Sequence, residues 1–270
     1  MGTSIRDYHV HTSNSIDSWA EMEEYCRLAV ENGIREIAFT DHFDLHALEK
    51  GRGYYNYQKY SSEIAKCRDS FGERLSILKG LELGEPHLYL EEHSRYFKDK
   101  DFDFLLGSVH WIADEAMHND YCRGKEAKKA YEAYFAQVFQ AAAEGNFDVL
   151  GHLDILKRYA PSGFGKLCIG DYREVVEQIL KTALERGIGL ELNTSGWRQG
   201  VGEPFPSLEV LRWYRELGGE IITVGSDSHV VDDLGSDIKK AYLLLRDLGF
   251  KWLTVFRQRS MEQLPLSNLI

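Results

Sequence analysis

Six of the ten histidines, His9, His11, His42, His110, His152 and His229, fall at or just beyond the ends of short apolar runs that read as β-strands. Carboxylates stand in matching places: Asp17, Asp41 beside His42, Glu82 in Gly-Leu-Glu-Leu-Gly, and Asp227 in Ser-Asp-Ser-His. Imidazole and carboxylate are donors that zinc, iron and manganese all accept, so the pattern predicts a metal centre. His9 and His11 are one residue apart; on a strand they share a face and can chelate one ion together. One such pair is as well explained by hydrogen-bonded or solvent-facing histidines, and it is the recurrence at later strand ends that favours ligation. His46, His87, His93 and His118 fall outside these positions and read as structural or surface residues.

Short β-type runs alternate with amphipathic helical stretches along the chain, the pattern of parallel α/β folds. Strands are expected at Asp7–His11, Glu36–Thr40, Ile77–Leu83, Phe104–His110, Val149–His152, Gly189–Asn193 and Ile221–Ser226, with a weaker one at Trp252–Phe256. Trp19, Met22, Cys26, Ala29 and Val30 recur at helical spacing, and Gly33 stands where a glycine would end that helix. Further helical faces run from Tyr131 to Ala142, from Val175 to Leu184 after a capping-box signature at Asp171 and Glu174, from Leu208 to Leu217 behind Ser207, and over Ile238–Leu248. Seven or eight such units in 270 residues fit one domain, a closed barrel better than a doubly wound sheet. On a parallel barrel the C-terminal strand ends form the active face.

An apolar fraction of 43% and a charged fraction of 28% suit a globular protein. No apolar run approaches the roughly 18 residues that a membrane span needs, and Met1 to Arg6 lack the features of a signal peptide. A cytoplasmic protein is expected. Cys26, Cys67, Cys122 and Cys168 are widely spaced and read as free thiols. A net charge of −11 without a basic stripe argues against nucleic acid as a partner. Oligomeric state leaves no trace in the sequence.

Taken together, Asp-Tyr-His9-Val-His11-Thr, Ser-Ile-Asp17, Thr-Asp41-His42, Gly-Leu-Glu82, Gly-Ser-Val-His110, Gly-His152-Leu-Asp and Ser-Asp227-Ser-His229 resemble the polymerase-and-histidinol-phosphatase (PHP) family over nearly the whole chain. Asp17, the run through Lys157-Arg158-Tyr, and Glu-Leu-Asn193-Thr-Ser-Gly-Trp-Arg198 followed by Glu203 and Pro206 look most like its monofunctional histidinol-phosphate phosphatase subgroup. The resemblance implies a distorted (β/α)7 TIM-like barrel and up to three divalent ions. It implies a first ion at His9, His11, Glu82 and Asp227, a second at Glu82, His110 and His152, and a third at Asp17, His42 and His229. Glu82 would bridge.

Such a centre can hydrolyse a phosphomonoester with a metal-bridging hydroxide as nucleophile, and the resemblance implies L-histidinol phosphate as the substrate. Three divalent ions against three carboxylate ligands would leave the site near about +3 although the chain is acidic. Arg198, Arg158 and Lys157 follow predicted strands and are the expected phosphate-binding residues. Asp227 or His229 is expected to protonate the leaving group. Asp44 and His87 are weaker candidates for the substrate's cationic end, and Trp197, ahead of Trp111, for a substrate platform. Rival readings are a PHP phosphoesterase for a nucleotide or phosphotyrosyl protein, an amidohydrolase-type enzyme, disfavoured because Glu82 stands where that class carries a bridging lysine, and a non-catalytic PHP module, which would be expected to lack ligands.

Overall fold

Strand and crossover helix alternate through the computed structural model, which describes residues 4–119 and 121–270. Met1 to Thr3, part of the stretch read for a leader, lie outside them. The chain runs β1 (Arg6–Val10), α1 (Met22–Glu31), β2 (Glu36–Phe39), β3 (His42–Phe43), α2 (Tyr57–Phe71), β4 (Ser76–Gly84), α3 (Leu90–Phe97) and β5 (Phe104–Ser108). A small hairpin, β6 (Trp111–Ile112) and β7 (Glu115–Ala116), precedes α4 (Ala127–Glu144), β8 (Val149–Leu150), α5 (Leu156–Tyr159) and α6 (Arg173–Glu185). Then come β9 (Gly189–Asn193), α7 (Ser195–Arg198), α8 (Leu208–Glu216), β10 (Ile222–Gly225), α9 (Ile238–Asp247), β11 (Trp252–Arg257) and β12 (Ser260–Pro265).

Seven parallel strands follow one another in the order β1-β2-β4-β5-β8-β9-β10, with β3 paired to β4. The two ends of this sheet meet. His11 N donates to Ser228 O at 2.8 Å and Asp227 N to His9 O at 2.8 Å, a seam that nearly closes the barrel. Asp7, fully buried, ties the same seam by accepting from Ser226 N and Gly235 N. The expected distorted (β/α)7 barrel is the fold observed.

Strand alternation divides the apolar side chains into two sets. Ile37, Phe39, Ile77, Leu81, Leu105, Leu190, Leu192 and Val224 pack outward against the helices, whereas Tyr8, Ala38, Leu78, Phe104, Leu106 and Val149 fill the interior. Val255 and Phe256 of β11 join the interior set. The weak eighth strand is therefore no barrel strand: β11 pairs antiparallel with β12, and the hairpin plugs the barrel. Tyr8 locks it in place, donating to Glu36 Oε1 at 2.6 Å and accepting from Phe256 N at 3.0 Å.

Local signals near the strands carry over, and two helix starts do not. Helix α1 begins at a capping box between Glu21 and Glu24 and ends before Gly33, whose φ of +70° suits glycine. Trp19 is not on its buried face; it precedes the helix and is 87% exposed. The Asp171 and Glu174 box does not form, because a 3-10 turn over Ile169–Tyr172 runs into α6 and puts Tyr172 at the cap. Ser207 does precede α8, but its hydroxyl caps nothing and its backbone N–H goes to Asp154. Replacing Tyr8 by Phe should strand the Phe256 N–H and lower stability by about 1–3 kcal/mol. Urea unfolding tests this, and an unchanged midpoint would remove the hairpin lock from the account.

Candidate metal centre

The interior of the barrel changes character toward the C-terminal strand ends. Along β4 the inward series passes from Leu78 to Glu82, and along β5 from Phe104 and Leu106 to Ser108. On β1 the change needs a bulge. Tyr8 packs in the interior and Val10 in the outer core, and the pairing with β2 shifts register between Asp7 and Val10. The extra residue turns His9 and His11 to the interior above Tyr8.

Four ligand atoms converge there. His9 Nε2 lies 3.0 Å from His11 Nε2, 3.4 Å from Glu82 Oε2 and 3.7 Å from Asp227 Oδ1; His11 Nε2 lies 3.5 and 3.6 Å from the same two oxygens. The other oxygen of Glu82, Oε1, faces His152 Nε2 at 2.8 Å and His110 Nε2 at 3.4 Å. Asp17 Oδ2 stands 3.3 Å from both His42 Nε2 and His229 Nε2. All nine residues singled out in the sequence as ligands thus form one continuous cluster. Donor atoms within 4.8 Å of one another group as His9, His11 and Glu82, as His42, Glu82 and His110, and as His11, His42 and His229. The last two groups cut across the sets that the resemblance implies, because His42 Nδ1 reaches Glu82 Oε2 at 2.9 Å and the rings of His11, His42 and His229 pack against each other at 4.1 to 5.9 Å between centroids.

The donor set fits divalent ions. Glu82 Oε2 and His152 Nδ1 are buried without a hydrogen-bond partner, and so is His42 Nδ1, which lies 2.9 Å from Glu82 Oε2 without hydrogen-bond orientation. Burial opposes the charge on Glu82, but His9, His110 and His42 outweigh it and hold the carboxyl well below its usual range. Burial would also lower His110, yet Glu82 and Asp44 push it up to about 10. His9 and His42 are likewise raised against burial by their carboxylate neighbours. His11 goes the other way, to about 3, through burial and the nearby His229 and His42.

A second layer aims these ligands; Asp41 in it was singled out in the sequence, and Glu191 was missed. Glu191, fully buried on β9, accepts from His9 Nδ1 at 2.7 Å and from His152 N at 2.9 Å. Asn193 Nδ2 bridges Glu191 Oε2 and Asp227 Oδ2. Gly225 makes room for this contact, since a Cβ there would lie 2.3 Å from His9 Cβ and 2.6 Å from Glu191 Oε1. Ser108 Oγ donates to Glu82 Oε1 at 2.6 Å, and Asp41 accepts from Thr12 and Ser15 to fix the loop that follows His11. Glu85 accepts from His110 N and Trp111 N, and burial pushes its carboxyl up to about 7. Glu191 lies two residues before Asn193 on an inward-facing strand, the one sequence signal that could have found it.

The cluster opens into a cavity of about 590 Å³. Arg198 and Arg158 line it. Arg198 Nη2 donates to Ser226 O and Asp227 O and its Nε to Asp233, which braces the turn where Asp227 adopts φ +55° and leaves Nη1 without a partner. Lys157 departs from expectation. Its ammonium is enclosed by Asp154, Glu203 and Pro204 O, with 4% of the side chain exposed, and it does not line the cavity. Nor does Trp197, over whose ring Lys240 sits, and His87 is turned to Gln137. Trp111 is buried, stacked on His46, and donates to Glu49. His93 is buried, whereas His118 is exposed at the cavity wall.

A parallel β/α barrel with imidazoles and carboxylates gathered at its C-terminal strand ends defines the class of metal-dependent barrel hydrolases. The chain matches the PHP domain over residues 7–195. It is 30% identical to a histidinol-phosphatase of Lactococcus lactis subsp. lactis over 95% of this chain and 96% of that one, and 30% identical to a probable histidinol-phosphatase of Clostridium acetobutylicum over 96% and 99%. Among solved structures, that of the Lactococcus lactis histidinol phosphate phosphatase complexed with zinc, L-histidinol and phosphate superposes with a TM-score of 0.88 at 28% identity, covering 95% of this chain and 98% of that one. The chain belongs to the PHP domain family.

Two outcomes are expected of the centre. Glu191→Gln removes the charged partner of His9 and should weaken divalent-metal affinity about 10–100-fold, measured by competition with a chelator; wild-type affinity would deny Glu191 its orienting role. His9, His42 and His110 sit above their ordinary value, so they hold protons that an entering ion must displace. Metal affinity should therefore rise with pH up to about 10, where His110 gives up its proton, and a flat profile would contradict the charge assignment.

Proposed function

We propose that this chain is a metal-dependent phosphomonoesterase that hydrolyses L-histidinol phosphate to L-histidinol and phosphate, the whole chain acting as one domain. The observation that carries the reading is the convergence of His9, His11, Glu82 and Asp227 beside His110 and His152, with Arg198 on the same cavity. Full-length similarity to histidinol-phosphatases supports the substrate. The reading places the enzyme in the cytoplasm as part of histidine biosynthesis, with a small phosphate ester as partner and neither nucleic acid nor membrane. Among the described residues no helix is long and apolar enough to cross a membrane.

In this reading His9, His11, Glu82 and Asp227 hold a first ion, Glu82, His110 and His152 a second, and Asp17, His42 and His229 a third, whether zinc, iron or manganese. Divalent ions at such a site supply Lewis acidity toward phosphoryl oxygens and acidify water for in-line attack. Water oxygen joins phosphorus as the bond to the alcohol oxygen breaks, and that oxygen takes up a proton. Arg198, through its unpartnered Nη1, and Arg158, which has no ion pair among the described residues, bind phosphate oxygens. His229 is the residue that hands the leaving oxygen its proton: it is 31% exposed at the rim, with its Nδ1 3.5 Å from Asp227 Oδ1. Burial opposes the charge on Asp227, but His9, His11 and His229 hold it well below the usual carboxylate range, so it stays ionised and orients His229. Burial of Lys157 among acids removes it from this set.

Glu82→Gln and His110→Ala should each reduce phosphate release from histidinol phosphate by more than the roughly 10–100-fold that loss of an outer-shell partner brings, and both should lower bound metal. Unchanged turnover in both variants would refute the mechanism, and a rate on histidinol phosphate no better than on generic phosphate esters would refute the substrate.

A further inference from the structure

Away from the metal centre, two thiols meet that serve no step of the reaction. Cys26 lies on the buried face of α1 with Met22, Tyr25 and Ala29, and Cys67 on the buried face of α2 with Tyr60 and Ile64. These helices are successive crossovers, from β1 to β2 and from β3 to β4, and they pack against each other. The two cysteines face one another across that contact, and their thiols are hydrogen-bonded. Both belong to the main apolar cluster, Cys26 fully enclosed and Cys67 with 4% of its surface exposed. Cys122, buried, and Cys168, exposed, lie in the segments before α4 and α6, apart from this pair.

The hydrogen bond makes the two sulfurs unequal. It pushes the Cys26 thiol up and draws the Cys67 thiol down, while burial and the nearby Glu23 oppose ionisation at both. Cys67 is thus the sulfur with more thiolate character and the one that reaches the surface. Two sulfurs already in contact on packed helices need only lose two hydrogens to be joined. We infer that Cys26 and Cys67 form a reversible disulfide that staples α1 to α2 when the protein meets hydrogen peroxide. The Cys67 sulfur attacks one peroxide oxygen and the O–O bond breaks, which leaves a sulfenic acid on Cys67 and releases water with the Cys67 proton. The Cys26 sulfur then attacks the Cys67 sulfur. The S–O bond breaks, the S–S bond forms, and hydroxide leaves as a second water with the Cys26 proton. The two thiols are oxidised, the peroxide is reduced, and a dithiol reductant reverses the bond. The disulfide encloses residues 26–67, the span that carries β2, β3, Asp41 and His42, and neither sulfur lines the cavity. It therefore restrains the unfolded chain without entering the site.

The test treats the zinc-loaded full chain, with Cys168→Ser to remove the exposed thiol, with hydrogen peroxide and then with a thiol alkylator. Peptide mapping should find Cys26 joined to Cys67, and dithiothreitol should return both to the alkylatable form. The oxidised protein should unfold at a temperature at least about 5 °C above the reduced one, and Cys26→Ser or Cys67→Ser should each abolish that rise. Peroxide treatment that leaves both thiols open to the alkylator after denaturation would overturn the inference. So would a Cys67 carried on to sulfinic acid beside a free Cys26, or a disulfide made through Cys122. A Cys26–Cys67 disulfide that leaves the unfolding temperature unchanged would overturn the staple. The mapping is made on a chain that keeps both cysteines, so it decides the matter even if the single serine variants fold poorly.

Discussion

Glu82 is a carboxylate on a central barrel strand with 1% of its surface exposed, and a lone charge in such a place would be untenable. Its two oxygens are met from different sides, Oε2 by His9, His11 and His42, Oε1 by His110, His152 and Ser108. Every one of these partners comes from another strand or strand end. Holding one anion in the barrel thus forces five histidines to converge, and the same convergence makes a multinuclear ligand set. The remaining carboxylates then follow: Asp227 and Asp17 balance the imidazoles farther out, and Glu191 balances His9 from behind.

The support for this arrangement lies below it. Tyr8, Leu78, Phe104, Leu106 and Val149 fill the barrel interior, and the hairpin of β11 and β12 closes that cluster with Val255 and Phe256. Close packing here leaves the polar upper layer no downward freedom. The bulge in β1 is the junction between the layers, since a regular strand could not face both Tyr8 and His9 inward.

Ligand types and strand ends were legible in the sequence because a strand's period and a barrel's polarity put chemistry at predictable places. His9, His11, Glu82, His110, His152 and Asp227 needed only that rule to be brought together. What was not legible depended on contacts across the chain. Glu191 looked like any strand acid until β9 was placed beside His152 and opposite His9. Lys157 looked like a rim cation, yet Asp154 and Glu203 draw it away from the cavity. Trp252 to Phe256 carries the alternation of a barrel strand, but the two residues Gln258 and Arg259, both at positive φ, turn it back on itself as a hairpin. Trp19 has helical spacing and no partner in the core, because the capping box starts α1 at Met22, three residues beyond it.

Burial falls off in order from the barrel axis to the cavity mouth. His9, His11 and Glu82 are enclosed, His110 and His42 show 14% and 16% of their side chains, and His229 and Asp17 show 31% and 49%. The inner ligands are fixed by a layer of buried hydrogen bonds through Glu191, Asp41 and Ser108, which preorganises them before anything binds. The outer pair is held mainly by each other and by the turn that Arg198 braces. Arg198 therefore acts at two levels, because the guanidinium that offers Nη1 to a phosphate also fixes the backbone carrying Asp227. A change at that side chain must disturb the anion site and the first ligand set together, so its effect cannot be divided into a binding part and a structural part by activity alone.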